Sequence, residues 1–303
     1  MTSLNFCIVD VFAETKYAGN QLAVFTDAGH LSTEQMQAIA KEVNFSETTF
    51  ILSPELCEGG YNVRIFTPAK ELPFAGHPTL GTAFVLQQVV VRQPVEQVNL
   101  NLQVGQIPVT IAYQDAVPDV LWMRPNPPMF GKTIAADAIA PVLTLDSQEI
   151  DSRFPIQEVS TGVPFLIVPL KSLEALQRIQ VNTERLKTLV EHLHAKEVFV
   201  FCPETRDPAN HFSARMFAPL LGIPEDPATG SANSCFAGYL VEHGVLGSGA
   251  TLAVSAKQCA VRVEQGYEMG RPSLLLLKAE KTNGQIVVSV GGKVVLVARG
   301  EFV

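Results

Sequence analysis

Glu47, His77, Asp226 and Ser231 are the residues of this chain whose types and settings could do chemistry. Glu47 stands in Asn44-Phe45-Ser46-Glu47-Thr48-Thr49-Phe50-Ile51-Leu52, where it opens a strongly apolar run. A carboxylate partly desolvated there has its pKa raised toward neutrality, the range in which one group can both take and return a proton. A solvated glutamate at a strand end is the competing reading, and on position alone it is the commoner outcome. His77 is the one histidine of six set between glycine and proline, in Phe74-Ala75-Gly76-His77-Pro78-Thr79. Pro78 is expected at the first position of a helix, which makes Gly76 and His77 cap positions. Asp226-Pro227 repeats the arrangement, with Asp226 expected as N-cap and Gly230 and Ser231 in the first turn. Helix starts present free N–H groups and the positive end of the dipole, so two of them facing one cleft would hold a small carboxylic acid. Ordinary capping accounts for Asp226 taken alone. The paired, glycine-lined context brings ligand binding level with it.

Isomerisation of a carbon acid needs one group that removes a proton from carbon and returns it elsewhere on the same face, and a single carboxylate suffices. His77, Asp226, Ser231 and nearby N–H groups would orient the substrate and stabilise developing charge. No Gly-x-Gly-x-x-Gly after a strand, no Walker-type loop and no His-Glu-x-x-His helix is found, so neither cofactor nor metal is expected and the chemistry falls to side chains alone. His192 and His194 sit two apart on an expected helix around Leu186, Leu189, Val190 and Leu193, and point different ways. Five scattered cysteines, Cys7, Cys57, Cys202, Cys235 and Cys259, read as reduced, small core residues.

The elements that position these residues follow from composition and periodicity. At 303 residues the chain is expected to hold two domains, and 47% hydrophobic against 17% charged residues excludes disorder as its main state. A net charge of -8 without long runs of either sign argues against nucleic acid and anionic membrane partners. The first residues lack a secretory pattern and no apolar stretch is long enough to cross a bilayer, so a soluble, cytoplasmic protein is expected. Short runs of period two, such as Val98, Leu100 and Leu102, predict sheets with one buried face. Asn283-Gly284 and Gly291-Gly292 read as tight turns between antiparallel strands. A helix over Thr33 to Val43 carries Met36, Ile39, Ala40 and Val43 on one face, behind a capping box of Ser32 and Gln35. Two further helices, after Pro78 and Pro227, are apolar nearly all round and must be surrounded by other structure.

Arg64-Ile65-Phe66-Thr67-Pro68 matches Arg215-Met216-Phe217-Ala218-Pro219, and each precedes one of these helices, with Gly-Thr-Ala at Gly81 to Ala83 and Gly-Ser-Ala at Gly230 to Ala232. Repetition on this scale suggests duplication of a whole domain. The boundary is expected near Val117 to Asp119, giving a first lobe over 1–117 and a second over 118–289, with 290–303 returning to complete the first.

Gly19-Asn20-Gln21-Leu22-Ala23-Val24, Ser46-Glu47-Thr48-Thr49-Phe50, Arg64 to Pro68, Glu71-Leu72-Pro73-Phe74-Ala75-Gly76-His77-Pro78-Thr79, Gly162-Val163-Pro164 and Glu225-Asp226-Pro227-Ala228-Thr229-Gly230-Ser231-Ala232 together resemble the phenazine-biosynthesis (PhzF-like) isomerase family over essentially the whole chain. The resemblance implies an α+β fold like that of diaminopimelate epimerase: two similar, pseudo-twofold-related lobes, each a curled, mainly antiparallel sheet around a central helix. It places Glu47 on the family's catalytic acid/base and His77, Asp226 and Ser231 on its other polar positions, with Gly76, Gly230 and Asn20 among the substrate-binding residues. The wider superfamily includes epimerases with two catalytic cysteines. Ala75 and Asp226 stand at those places here, and Cys235 lies too far into its helix to substitute, so two-thiol racemisation is disfavoured. The expected function is a cofactor-independent isomerase acting on a small cyclic or conjugated carboxylic acid in the cleft between lobes. The alternative is a non-catalytic ligand-binding or protein-interaction role on the same scaffold. The expected partner is a small anionic substrate, and the oligomeric state stays open, a homodimer included.

Overall fold

The computed structural model describes residues 4–245 and 258–303. The chain divides into two compact units, Met1–Met123 with Gly291–Val303, and Arg124–Val290. Both are α+β.

The first unit runs β1 (Leu4–Val11), β2 (Asn20–Phe25), α1 (Thr33–Val43), β3 (Glu47–Ile51), β4 (Tyr61–Phe66), β5 (Glu71–Leu72), α2 (Gly76–Val85), β6 (Gln97–Leu102), β7 (Gly105–Gln114) and β8 (Val117–Met123). β1 and β2 are antiparallel, β2 and β3 parallel, β3 and β4 antiparallel, β4 and β6 parallel, and β6, β7 and β8 follow as antiparallel neighbours. α2 lies against β1, β2, β3, β6, β7 and β8, and all of its residues are buried. That is why it lacks a polar face. Its two hydroxyls need partners in this setting, and Thr82 finds one in Thr49 of β3, 2.8 Å away. α1 covers the other face of the sheet, where Met36 and Ala40 join Phe25, Phe50 and Phe66. The capping box of Ser32 and Gln35 is formed.

The second unit runs β9 (Met129–Ile134), α3 (Ala136–Leu143), β10 (Ile156–Ser160), β11 (Pro164–Pro169), α4 (Leu173–Arg178), α5 (Thr183–Leu189), β12 (Glu197–Cys202), β13 (Phe212–Ala218), β14 (Ile223–Asp226), α6 (Gly230–His243), β15 (Gln258–Gln265), β16 (Ser273–Thr282) and all but the last two residues of β17 (Gln285–Gly292). The pairing order of the first unit recurs: β10 and β11 antiparallel, β11 and β12 parallel, β12 and β13 antiparallel, β13 and β15 parallel, β15 and β16 antiparallel. α6 is buried at Gly230 and from Ala232 to Val241. Phe236 packs against Phe199, Phe201 and Phe212 of the sheet. α3, α4 and α5 cover the opposite face through Ile139, Leu143, Leu176 and Leu186.

Several local expectations change. Asn283 and Gly284 both take positive φ, as a two-residue hairpin turn requires. Gly291 and Gly292 do not form such a turn but belong to β17, where a Cβ on Gly291 would come within 2.5 Å of the Trp122 ring. The following strand, β18 (Val294–Phe302), pairs antiparallel with β1. The helix expected through Leu193 stops at Leu189 and ends in a 3-10 turn over Val190–His192. Cys57 is exposed, whereas Cys7, Cys202, Cys235 and Cys259 are buried. No helix among the described residues is long and apolar enough to cross a membrane.

Candidate functional site

Glu47 is positioned by strand register. Leu22 of β2 pairs with Glu47 of β3, so both side chains leave the sheet on one face. On that face Gly81 of α2 packs so closely that a Cβ there would meet Leu22 Cδ2 at 2.6 Å. His77 lies one helical turn before Gly81 and is therefore carried over Glu47. His77 Nε2 and Glu47 Oε2 are 3.5 Å apart. Gly19 (φ +64°) turns the chain into β2, and Asn20, buried, opens that strand opposite Val11.

The spacing of Glu47 and His77 is that of an ion pair only if the ring is charged. Burial pushes the His77 pKa down to about 3, against a smaller opposing effect of a hydrogen bond to the Gln21 backbone. The ring is therefore neutral near pH 7. Its Nε2 makes no hydrogen bond of normal geometry.

In the second unit, Asp226 closes β14 opposite Met216 and is buried. It is not the N-cap of α6. That position is Thr229, whose side chain does not cap the helix but donates from Oγ1 to Asp226 Oδ2. The Thr229 N–H goes instead to Gln265 Oε1 at 3.3 Å, and Gln265 Nε2 donates to the Asp226 carbonyl at 2.9 Å and to Thr229 Oγ1 at 3.1 Å. Asn233 Nδ2 also donates to Gln265 Oε1, at 2.9 Å. A side chain from β15 thus takes the backbone N–H of the N-cap residue, and the Asp226 carboxyl accepts from the Thr229 hydroxyl. Gly230 and Ser231 are the first two residues of α6, as expected, with Gly230 buried and Ser231 partly exposed.

A similar correction applies to α2. It begins at Gly76 behind Ala75 as N-cap, so Pro78 is its third residue rather than its first. The substitution is tolerated because N–H groups throughout the first turn have no intrahelical acceptor. Gly76 and His77 are helical, with Thr79 Oγ1 donating to the Ala75 carbonyl at 2.7 Å.

Thr229 and Gln265 are absent from the sequence-based set. Thr229 lies inside the Asp-Pro-Ala-Thr-Gly-Ser stretch and could have been drawn from it. Gln265 has no local signature, because its partners lie on a distant part of the chain.

The family model described as phenazine biosynthesis-like protein matches residues 9–300. The chain is 36% identical to the trans-2,3-dihydro-3-hydroxyanthranilate isomerase of Pseudomonas fluorescens, with 99% of each chain covered. Among solved structures it is similar to a phenazine biosynthesis protein of the PhzF family from Bacillus anthracis, at 26% identity and a TM-score of 0.89 with both chains fully covered. A probable proline racemase from Agrobacterium radiobacter, 11% identical with a TM-score of 0.62 over 99% of this chain and 93% of that one, shares the fold alone. The fold is of the diaminopimelate epimerase-like class. The chain is an enzyme of the isomerase class and belongs to the phenazine biosynthesis-like (PhzF) family.

Proposed function

We propose that the protein is a cofactor-independent isomerase that moves a proton between carbons of a small cyclic or conjugated carboxylic acid, with Glu47 as the acid/base. The observation that carries this reading is the 3.5 Å approach of Glu47 Oε2 to the Nε2 of a neutral, buried His77. With the ring hydrogen engaged by the Gln21 backbone, Nε2 offers a lone pair to the carboxyl. Beside a neutral ring, Glu47 can then be the single group that takes a proton and returns it.

In the reaction, Glu47 takes the hydrogen from the substrate carbon as the C–H electrons pass into the conjugated system. The same group returns it to another carbon, so atoms and charge balance with no external reactant. Asp226, Ser231, Asn20 and the N–H groups at Gly76 and Gly230 are proposed to bind the substrate and orient its carboxyl. Thiol chemistry is disfavoured, since burial pushes the Cys235 thiol up to about 12 and leaves it a poor base near neutrality. The net charge of -8 and the free cysteines support a cytoplasmic location.

The substrate named for the Pseudomonas fluorescens relative, trans-2,3-dihydro-3-hydroxyanthranilate, is the first to test. The purified protein is expected to isomerise it, or a related conjugated acid, and to carry solvent deuterium into the product. Absence of exchange into any such acid would turn the assignment to a binding role.

A further inference from the structure

The two units repeat one register. Leu22 pairs with Glu47 in the parallel contact of β2 with β3, and Phe165 pairs with Glu197 in the parallel contact of β11 with β12. The next residues, Thr48 and Val198, pair with Phe66 and Phe217 of the two Arg-x-Phe-x-Pro motifs. Glu197 is thus the counterpart of Glu47 in the second unit, and each is the first residue of its strand.

Glu197 faces the buried helix of its unit. Phe199 and Phe201, its neighbours on the same face of β12, pack on Phe236 of α6. Electrostatically it bears on Cys235, one residue earlier in that helix. Cys235 Sγ in turn lies 3.6 Å from both Thr161 Oγ1 and the Val163 carbonyl. The Glu197 carboxyl forms no hydrogen bond or ion pair with the described residues. A half-buried carboxylate with no partner costs folding energy, and such groups gather at functional sites.

We propose that Glu197 is a second proton-exchanging carboxylate of the enzyme, a general acid that donates to an oxygen or nitrogen of the substrate where negative charge develops. The proposal rests on the isomerase reading above. In the step, the Glu197 O–H bond breaks and its electron pair stays on the carboxylate. The proton returns as the charge recedes, so nothing is consumed. Burial raises the pKa of this group to about 7, which keeps a large share of it protonated at neutral pH and able to donate. The Cys235 thiol is neutral, Lys196 Nζ is engaged by the carbonyls of Val190 and Leu193, and Glu158 accepts the N–H groups of His194 and Ala195.

The test compares wild type, Glu197→Gln and Glu47→Gln on trans-2,3-dihydro-3-hydroxyanthranilate across pH 5.5 to 9, together with carbon-13 NMR titration of the glutamate carboxyls. The Glu197 signal is assigned by its loss in Glu197→Gln. The proposal expects kcat/KM of the wild type to fall as pH rises through about 7. Glu197→Gln is expected to lose that limb and about tenfold or more of the rate below it. The Glu197 signal should titrate near 7 and shift its midpoint when 3-hydroxyanthranilate, the aromatic analogue, is added. A variant with wild-type rate and pH limb overturns the proposal, and if Glu47→Gln is inactive in the same series the isomerase reading still stands. If the wild type does not turn this acid over, that choice of substrate fails and the titration alone decides. A Glu197 signal in the ordinary carboxylate range, or one unmoved by the analogue, then overturns the proposal.

Discussion

His77 Nε2 lies 3.5 Å from Glu47 Oε2 on a ring that burial keeps uncharged, so the two are not held together by opposite charges. The expected consequence is that Glu47→Gln keeps the fold but lowers turnover by about 10²- to 10⁴-fold, because the amide preserves shape and cannot exchange a proton. Circular dichroism with steady-state kinetics checks this. Near-normal turnover would remove Glu47 from the role.

The neutral ring also sets a pH dependence of stability. Its pKa is about 3 in the folded protein, against an ordinary value of 6.5. Between those values the unfolded chain binds the extra proton, so stability falls as pH drops through 6.5 and the loss is complete near pH 3. The slope from this group is about 1.4 kcal/mol per pH unit. Urea unfolding of His77→Asn should show a shallower acid loss by about that slope, and equal slopes in the two proteins would show that the ring is not held neutral.

Gln265 holds Thr229 and the Asp226 backbone together. Replacing it with leucine leaves buried polar groups without partners, at a cost of about 1–3 kcal/mol. Turnover should fall as well, since the Asp226 turn loses its brace. An unchanged urea midpoint would mean that the network contributes nothing net.

Gly19→Ala tests the backbone that delivers Asn20. The residue sits at φ +64°, and an added Cβ would lie 2.3 Å from the Val11 carbonyl oxygen, a backbone atom that cannot move aside cheaply. A loss of about 2 kcal/mol is expected. A thermal midpoint equal to that of the wild type would contradict it.

Turnover should survive exhaustive chelation and dialysis without added nucleotide. Activity lost on dialysis and restored by a metal or a cofactor would refute the cofactor-independent mechanism.

Much of this organisation was legible in the residues themselves, because it rests on local patterns. The helix Thr33–Val43 follows from its apolar face and capping box, and the enclosed helices α2 and α6 follow from the absence of a polar face. The Asn283-Gly284 turn follows from the positive φ that those two residue types tolerate. The paired Arg-x-Phe-x-Pro motifs announced a duplication. Extended back by one strand, the same comparison would have reached Glu197.

What the residues alone left open were contacts between segments far apart in the chain. Asp226-Pro227 reads as a helix cap until Gln265 arrives from β15 to take the Thr229 N–H. Gly291-Gly292 reads as a hairpin turn until Trp122 fills the space where a side chain would go. That Glu47 meets His77 depends on the pairing of Leu22 with Glu47, because a slip of one residue would send the carboxyl to the opposite face of the sheet. Residue types and local periodicity thus determined which groups could exchange a proton and which helices had to be enclosed. Strand register and the close packing of Gly81 on Leu22 decided which of those groups met, since burial and distance, which set protonation, arise only when remote segments pack together.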